Sequence, residues 1–255
     1  MTTSLRVDPW DPEYGGSWEV APEPRPEGDV RLDVEVIPWE PVPGEAPEEA
    51  LRHAFIDGVR RIDVRLFAEA DEAMAPGLAG SWAVGMAVVG RAPSIESVRV
   101  GRELVVGGGL DHPDLVSEIG GSRLRYRYRA VDGTAPQDPL YGLQNLMRDQ
   151  ETRLAAEVLE RGRADLLVLD GPLTYAAVAR TGPLVGLVKR QSRAYLPPER
   201  AELLGRLEPG RRTPLFHIGG QRLERYSWYA RVGEGRRIDG IMTGIVRLEV
   251  AADVG

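Results

Sequence analysis

Two short apolar runs, each halted by an Asp-Gly pair, constrain this chain more than any other feature of it. Leu166-Leu167-Val168-Leu169 ends on Asp170-Gly171-Pro172, and Ala54-Phe55-Ile56 ends on Asp57-Gly58. An apolar stretch of that length between turn signals reads as a strand buried on both faces, as strands of α/β sheets are. Open sheets of that class hold their ligands beyond the carboxyl ends of the strands. Asp57 and Asp170 therefore read as carboxylates that two neighbouring strands deliver to one place. The competing reading of Asp170 is a helix N-cap, with Pro172 in the first turn of the helix.

The stretch before Asp170 changes period. Across residues 138–162, Leu143, Leu146, Met147, Leu154, Val158 and Leu159 recur at three- and four-residue spacing, which predicts an amphipathic helix closed by Gly162. Glu151 stands four residues after Met147 and three before Leu154, on the apolar stripe itself. A carboxylate there is costly without a partner. It either pairs with an arginine at the stripe's edge or belongs to a site. Glu157 faces away, beside Arg153 and Arg161. After Asp170, residues 183–189 form another apolar strand that ends on Lys189, the sole lysine among 32 basic residues. A short helix over 173–180 would join the two strands as a βαβ unit, a parallel pair that puts Lys189 on the same edge as Asp170.

The remaining strands read as follows. Residues 55–57 and 62–67 form a hairpin turned through Gly58–Arg61. Residues 81–89 form one strand and 97–106 one or two. Residues 124–130 alternate apolar residues with Arg125, Arg127 and Arg129, giving either a solvated basic face or one that meets phosphate. A helix covers 198–207, and strands cover 214–218, 226–232 and 241–250. The expected fold class is α/β: a mixed sheet of about five central strands flanked by helices, with additional β-strands. Residues 1–48 are rich in proline and acid and read as an extended arm, apart from a possible edge strand over 32–37. Residues 49–255 read as the catalytic domain. Trp10, Trp18 and Trp39 lie in the arm, either as anchors for a partner or as a tether to the chain's own domain.

Composition narrows the chemistry. No cysteine is present, which removes disulfides and thiolate sites and fits a cytoplasmic protein. With three histidines, at 53, 112 and 217, a metal site would be built from carboxylates, which suit Mg²⁺ or Mn²⁺. A net charge of −7 argues against a generally basic nucleic-acid binder but leaves room for a local basic face. No run is long enough to span a membrane, and no phosphate-binding glycine motif is present. Three carboxylates, Asp57, Glu151 and Asp170, can hold one or two divalent ions that activate water against a phosphodiester, with Lys189 neutralising charge on the phosphate.

In order and spacing these stretches resemble the NurA nuclease family. Phe55-Ile56-Asp57-Gly58-Val59-Arg60-Arg61 is similar to its first motif, Leu169-Asp170-Gly171-Pro172-Leu173 to its third, Val185–Arg190 to its lysine-bearing strand and Trp228-Tyr229-Ala230-Arg231 to a later aromatic-basic strand. The resemblance implies a ribonuclease-H-like fold and a Mn²⁺- or Mg²⁺-dependent nuclease acting on DNA. It implies a homodimer that processes DNA ends in double-strand-break repair with a HerA-type hexameric ATPase. It also implies catalytic roles for Asp57, Asp170, Glu151 or its neighbour Glu157, Lys189 and Tyr229. The family's late histidine finds no equivalent before Gly255, His217 lying too early. That supports the alternative of a catalytically weak subunit that binds DNA and an ATPase. A small-molecule phosphohydrolase is a third reading; Asp57 lacks the second Asp, two residues on, that such enzymes commonly show.

Overall fold

The computed structural model describes residues 3–7, 29–35, 37–45, 51–70, 73–90, 92–173, 182–189, 194–219, 223–234 and 242–252. In chain order the strands are β1 (Ser4–Val7), β2 (Val30–Arg31), β3 (Val42–Pro43), β4 (His53–Ala70), β5 (Ala73–Val89), β6 (Ser94–Val106), β7 (Leu115–Ile119), β8 (Ser122–Ala130), β9 (Leu166–Asp170), β10 (Leu184–Val188), β11 (Arg211–Arg212), β12 (Phe216–Ile218), β13 (Arg225–Arg231) and β14 (Ile245–Ala251). Helix α1 (Asp138–Glu160) lies between β8 and β9, and α2 (Pro198–Ala201) runs on into a 3-10 turn over Glu202–Arg206. Among the described residues no helix is long and apolar enough to cross a membrane. The chain divides into two compact units: Met1–Ala21, Asp57–Gly85 and Glu96–Glu151 form unit 1; Pro22–Ile56, Met86–Ile95 and Thr152–Gly255 form unit 2.

Unit 1 is a sheet with one helix. Its strand order is β4-β5-β6-β8-β7, with β1 antiparallel to β4 from Ser4↔Glu69 to Val7↔Leu66. One core gathers Leu66, Ala68, Ala79, Leu104, Val106 and Tyr126. The first part of α1 packs closely because glycines lie beneath it. A Cβ on Gly80 would meet Leu143 Cδ2 at 2.6 Å and the Arg61 carbonyl at 2.9 Å. The expected turn at Gly58–Arg61 is absent, and β4 runs unbroken from His53 to Ala70. Gly58 here makes room for a helix rather than for a turn. The arginine face of β8 is occupied by the unit's own acids: Arg125 bonds Asp114 at 2.7 Å, and Arg127 and Arg129 reach the buried Glu103 at 3.3 and 3.4 Å.

Unit 2 is built on the order β2-β12-β13-β14-β10-β9-β4, to which β4 contributes its residues up to Ile56. β9 is parallel to β4 and to β10, while β10 is antiparallel to β14. The expected parallel pair is therefore present, within a mixed sheet. Phe216, Ile218, Tyr229 and Ile245 form its core with Tyr195, Leu196, Leu204 and Leu207. Two parts of the N-terminal region differ from the expected arm. Ser4–Val7 is a strand, and Leu32, Val34 and Glu35 are bends rather than parts of an edge strand. The segment around them is pinned through Glu35, which takes both Arg212 Nη atoms at 2.9 and 2.8 Å and the Leu215 N–H at 2.7 Å. Trp39 packs on its own unit, with Nε1 donating to the Arg200 carbonyl at 3.1 Å. Trp10, Trp18 and residues 174–180 of the helix expected over 173–180 lie outside the described residues.

Candidate active site

In unit 1, two carboxylates flank one glycine from opposite faces of β4. Asp57 accepts the N–H of the following residue, Gly58, on Oδ1 at 2.8 Å. α1 brings Glu151 onto the other side of the same residue. A Cβ on Gly58 would meet Glu151 Oε1 at 2.5 Å, Met147 Cγ at 2.9 Å and Met147 Sδ at 3.0 Å. Strand alternation accounts for this arrangement: Gly58 and Arg60 face the helix, while Asp57 belongs to the exposed row with Phe55 and Val59. The helix carboxylate at Gly58 is that of Glu151. Glu157 is half-buried and belongs to unit 2.

Unit 2 places the second pair. Asp170 is the last residue of β9, registered against Leu187 of the parallel β10, and Lys189 follows β10 directly. Lys189 Nζ donates to Asp170 Oδ2 at 2.9 Å. Both side chains remain open to solvent, at 56% and 36% exposure. The turn behind Asp170 is held from beneath. Glu249 Oε1 accepts the Leu173 N–H. Gly186 has no room for a Cβ, which would meet the Gly171 carbonyl and Leu173 Cγ at 2.9 Å each. Glu249 is fully buried between Arg225 (3.2 Å) and Arg247 (2.6 Å), and Arg247 lies 4.5 Å over the Tyr195 ring.

The ladder between β4 and β9 pairs His53 with Leu166 through to Ile56 with Leu169. Asp170 follows the last pair on β9. Tyr229 lies elsewhere. The resemblance implies a catalytic part for it; in the structure it is 3% exposed and its ring is stacked 5.8 Å from Phe216. His217 is also buried, with Nε2 3.3 Å from Glu224. Sequence reading missed Arg225, Arg247 and Glu249. Its only available signal was their alternation with apolar residues on β13 and β14.

The donor chemistry suits a hard divalent cation, since Asp57, Glu151 and Asp170 offer only oxygen. Among the described residues, no group of three His, Asp or Glu side chains stands at metal-binding spacing.

Parallel strands β4, β9 and β10 with antiparallel neighbours, and the helix α1, make this an α/β protein built on a mixed sheet. The model of the NurA domain matches residues 54–254. The chain belongs to the NurA domain family. The crystal structure of the NurA nuclease from Sulfolobus solfataricus is similar in fold, with a TM-score of 0.50 at 11% identity over 85% of this chain and 72% of that one. No curated protein matches the chain in sequence.

Proposed function

We propose that this chain is a divalent-metal-dependent deoxyribonuclease of the NurA type. The observation that carries the reading is the match of the NurA domain over residues 54–254, a span that includes Asp57, Glu151, Asp170 and Lys189. Asp57, Glu151 and Asp170 are the proposed ligands of Mg²⁺ or Mn²⁺, which when bound would activate water and stabilise the leaving oxygen of a phosphodiester. Lys189 orients Asp170 through their 2.9 Å bond and offers its remaining protons to a phosphate oxygen. Family membership supports extending the proposal to a cytoplasmic homodimer that processes DNA ends in double-strand-break repair with a HerA-type hexameric ATPase.

A second reading is a NurA-like subunit that binds DNA and an ATPase and cuts weakly. The observation in its favour is that the Lys189 ammonium already holds one oxygen of Asp170. Asp57→Ala and Asp170→Ala separate the two readings. Under the nuclease reading both variants keep a cooperative thermal transition and lose at least about a hundredfold in metal-dependent cleavage. Cleavage at the unsubstituted rate in either variant excludes a nuclease centre built on these acids.

A further inference from the structure

Glu249 on β14 is fully buried, so it cannot touch DNA. A buried ion set is a weak source of stability, and apolar residues of similar volume often replace one without loss. The use of this carboxylate lies in what its two oxygens hold. Oε1 accepts the Leu173 N–H and a proton of Arg225 Nη1, the latter at 3.2 Å. Oε2 accepts from Arg247 Nη1 at 2.6 Å and from Arg225 Nη1 at 3.4 Å.

The chain from Asp170, the last residue of β9, to Leu173 has little freedom. The Gly171 N–H donates to the Leu187 carbonyl at 2.9 Å. Gly171 has φ +113°, where a side chain would be strained, and the ring of Pro172 fixes its own φ. From β10, Gly186 approaches so closely that a Cβ there would meet the Gly171 carbonyl at 2.9 Å and Glu249 Cγ at 3.0 Å. The turn therefore rests on two supports, a bare α-carbon and a buried carboxylate. Leu173 is buried, its N–H needs an acceptor, and a charged acceptor makes the stronger bond.

We propose that Glu249 is a positioning residue for Asp170: by holding the Leu173 N–H it fixes the turn, and with it the direction in which Asp170 presents its carboxylate. Arg225 and Arg247 hold Glu249 in place. The proposal rests on the nuclease reading for the task of Asp170 and deepens it. Carboxylates that bind metals depend on the groups behind them, and losing such a group typically costs about 10–100-fold in metal affinity or activity. Glu249→Gln removes the support whichever way the amide turns. An amide has one accepting oxygen and one donating nitrogen. The oxygen is drawn to the two guanidiniums, which leaves the nitrogen facing the Leu173 N–H.

The test compares full-length wild type, Glu249→Gln, Gly186→Ala and Ile218→Ala. Gly186→Ala displaces the same turn from β10 and leaves every charge in place. Ile218→Ala is the control for lost stability, on β12 and separated from β9 by β13, β14 and β10. The first readout is hydrogen exchange of the Leu173 amide relative to that of Leu167, a ratio that a uniform loss of stability leaves alone. Glu249→Gln and Gly186→Ala should raise it at least about tenfold, as local opening does. The second is calorimetric Mn²⁺ binding, counting the binding that Asp170→Ala abolishes. It should weaken about 10–100-fold in both variants and not in Ile218→Ala. The third is cleavage, where kcat should fall with KM for DNA little changed. If Glu249→Gln does not fold, Gly186→Ala carries the decision. An unchanged exchange ratio and Mn²⁺ affinity in the folded variants overturn the proposal, as does an equal loss of affinity in Ile218→Ala. Wild type that binds Mn²⁺ and does not cut rejects the nuclease reading and leaves the positioning role to the first two readouts. Wild type that cuts, alongside variants that bind Mn²⁺ and cut equally well, does the reverse. Absence of any Asp170-dependent Mn²⁺ binding overturns both.

Discussion

Gly58 shows what a single residue does in this site. Its missing side chain leaves space that Glu151 and Met147 fill, and its N–H holds the Asp57 carboxylate. In Gly58→Ala the new methyl meets the ends of two flexible side chains, so the chain should fold, at a cost of about 1–3 kcal/mol for overpacking. Glu151 must move, and cleavage should fall at least about tenfold, since small misplacements of a positioned group are costly. Circular dichroism melts and cleavage rates on one preparation check both parts. Wild-type cleavage in a folded Gly58→Ala protein would show that the position of Glu151 is immaterial. The strand-end positions of Asp170 and Lys189 were legible in the sequence because apolar runs end on them, and the helix-face position of Glu151 because a charge interrupts an apolar stripe. The position of Asp57 was not, since β4 continues through it to Ala70. The partners of Gly58 were not, since a glycine after an aspartate signals a turn as readily as a close approach.

At the scale of elements, the readable features were those with a clean period. α1 and the parallel β9–β10 pair follow from spacing alone. β14 shows where period fails. Ile245-Val246-Arg247-Leu248-Glu249-Val250 alternates, and alternation would put Val246, Leu248 and Val250 inside. The structure buries Arg247 and Glu249 instead. A one-residue change of register exchanges the two faces, so alternation locates a strand without choosing its inner side. The choice is set by Arg225 on β13 and the Leu173 N–H, which Glu249 serves together. Glu249→Gln deprives Arg225 and Arg247 of their shared carboxylate. It should lower stability by about 3 kcal/mol or more, because a buried charge set loses its countercharge. The expected companion effect is a drop in cleavage as the turn behind Asp170 loosens. Chemical denaturation measures the first, and a near-neutral result would mean that the cluster adds little to unit 2.

At the scale of the whole molecule, an acidic chain of net charge −7 that acts on DNA as proposed would have to bind the polyanion through local features. Acid should also unfold it, through groups such as Glu35. The side-chain bond from Arg212 holds the Glu35 carboxyl below its ordinary value of 4.5, assisted by the Leu215 N–H. A lowered folded-state value means that the unfolded chain binds the proton more tightly. The contribution of the pair is therefore full above about pH 4.5 and is lost as pH falls through the lower folded-state value. Glu35→Gln should cost about 1.5–3 kcal/mol at neutral pH, as for hydrogen bonds to a charged group. The gap from wild type should close in melts taken as pH falls below that range, and a gap that stays constant would contradict this account.

The central claim is that the acids on β4, α1 and β9 serve metal-dependent cleavage of DNA. It is tested most directly by incubating the purified full-length protein with labelled single- and double-stranded DNA in Mn²⁺, in Mg²⁺ and in EDTA. The predicted result is cleavage with at least one of the two metals, none in EDTA, and loss of the metal-dependent products in Asp57→Ala. Intact DNA under every metal condition, or cleavage that persists in EDTA, would contradict it.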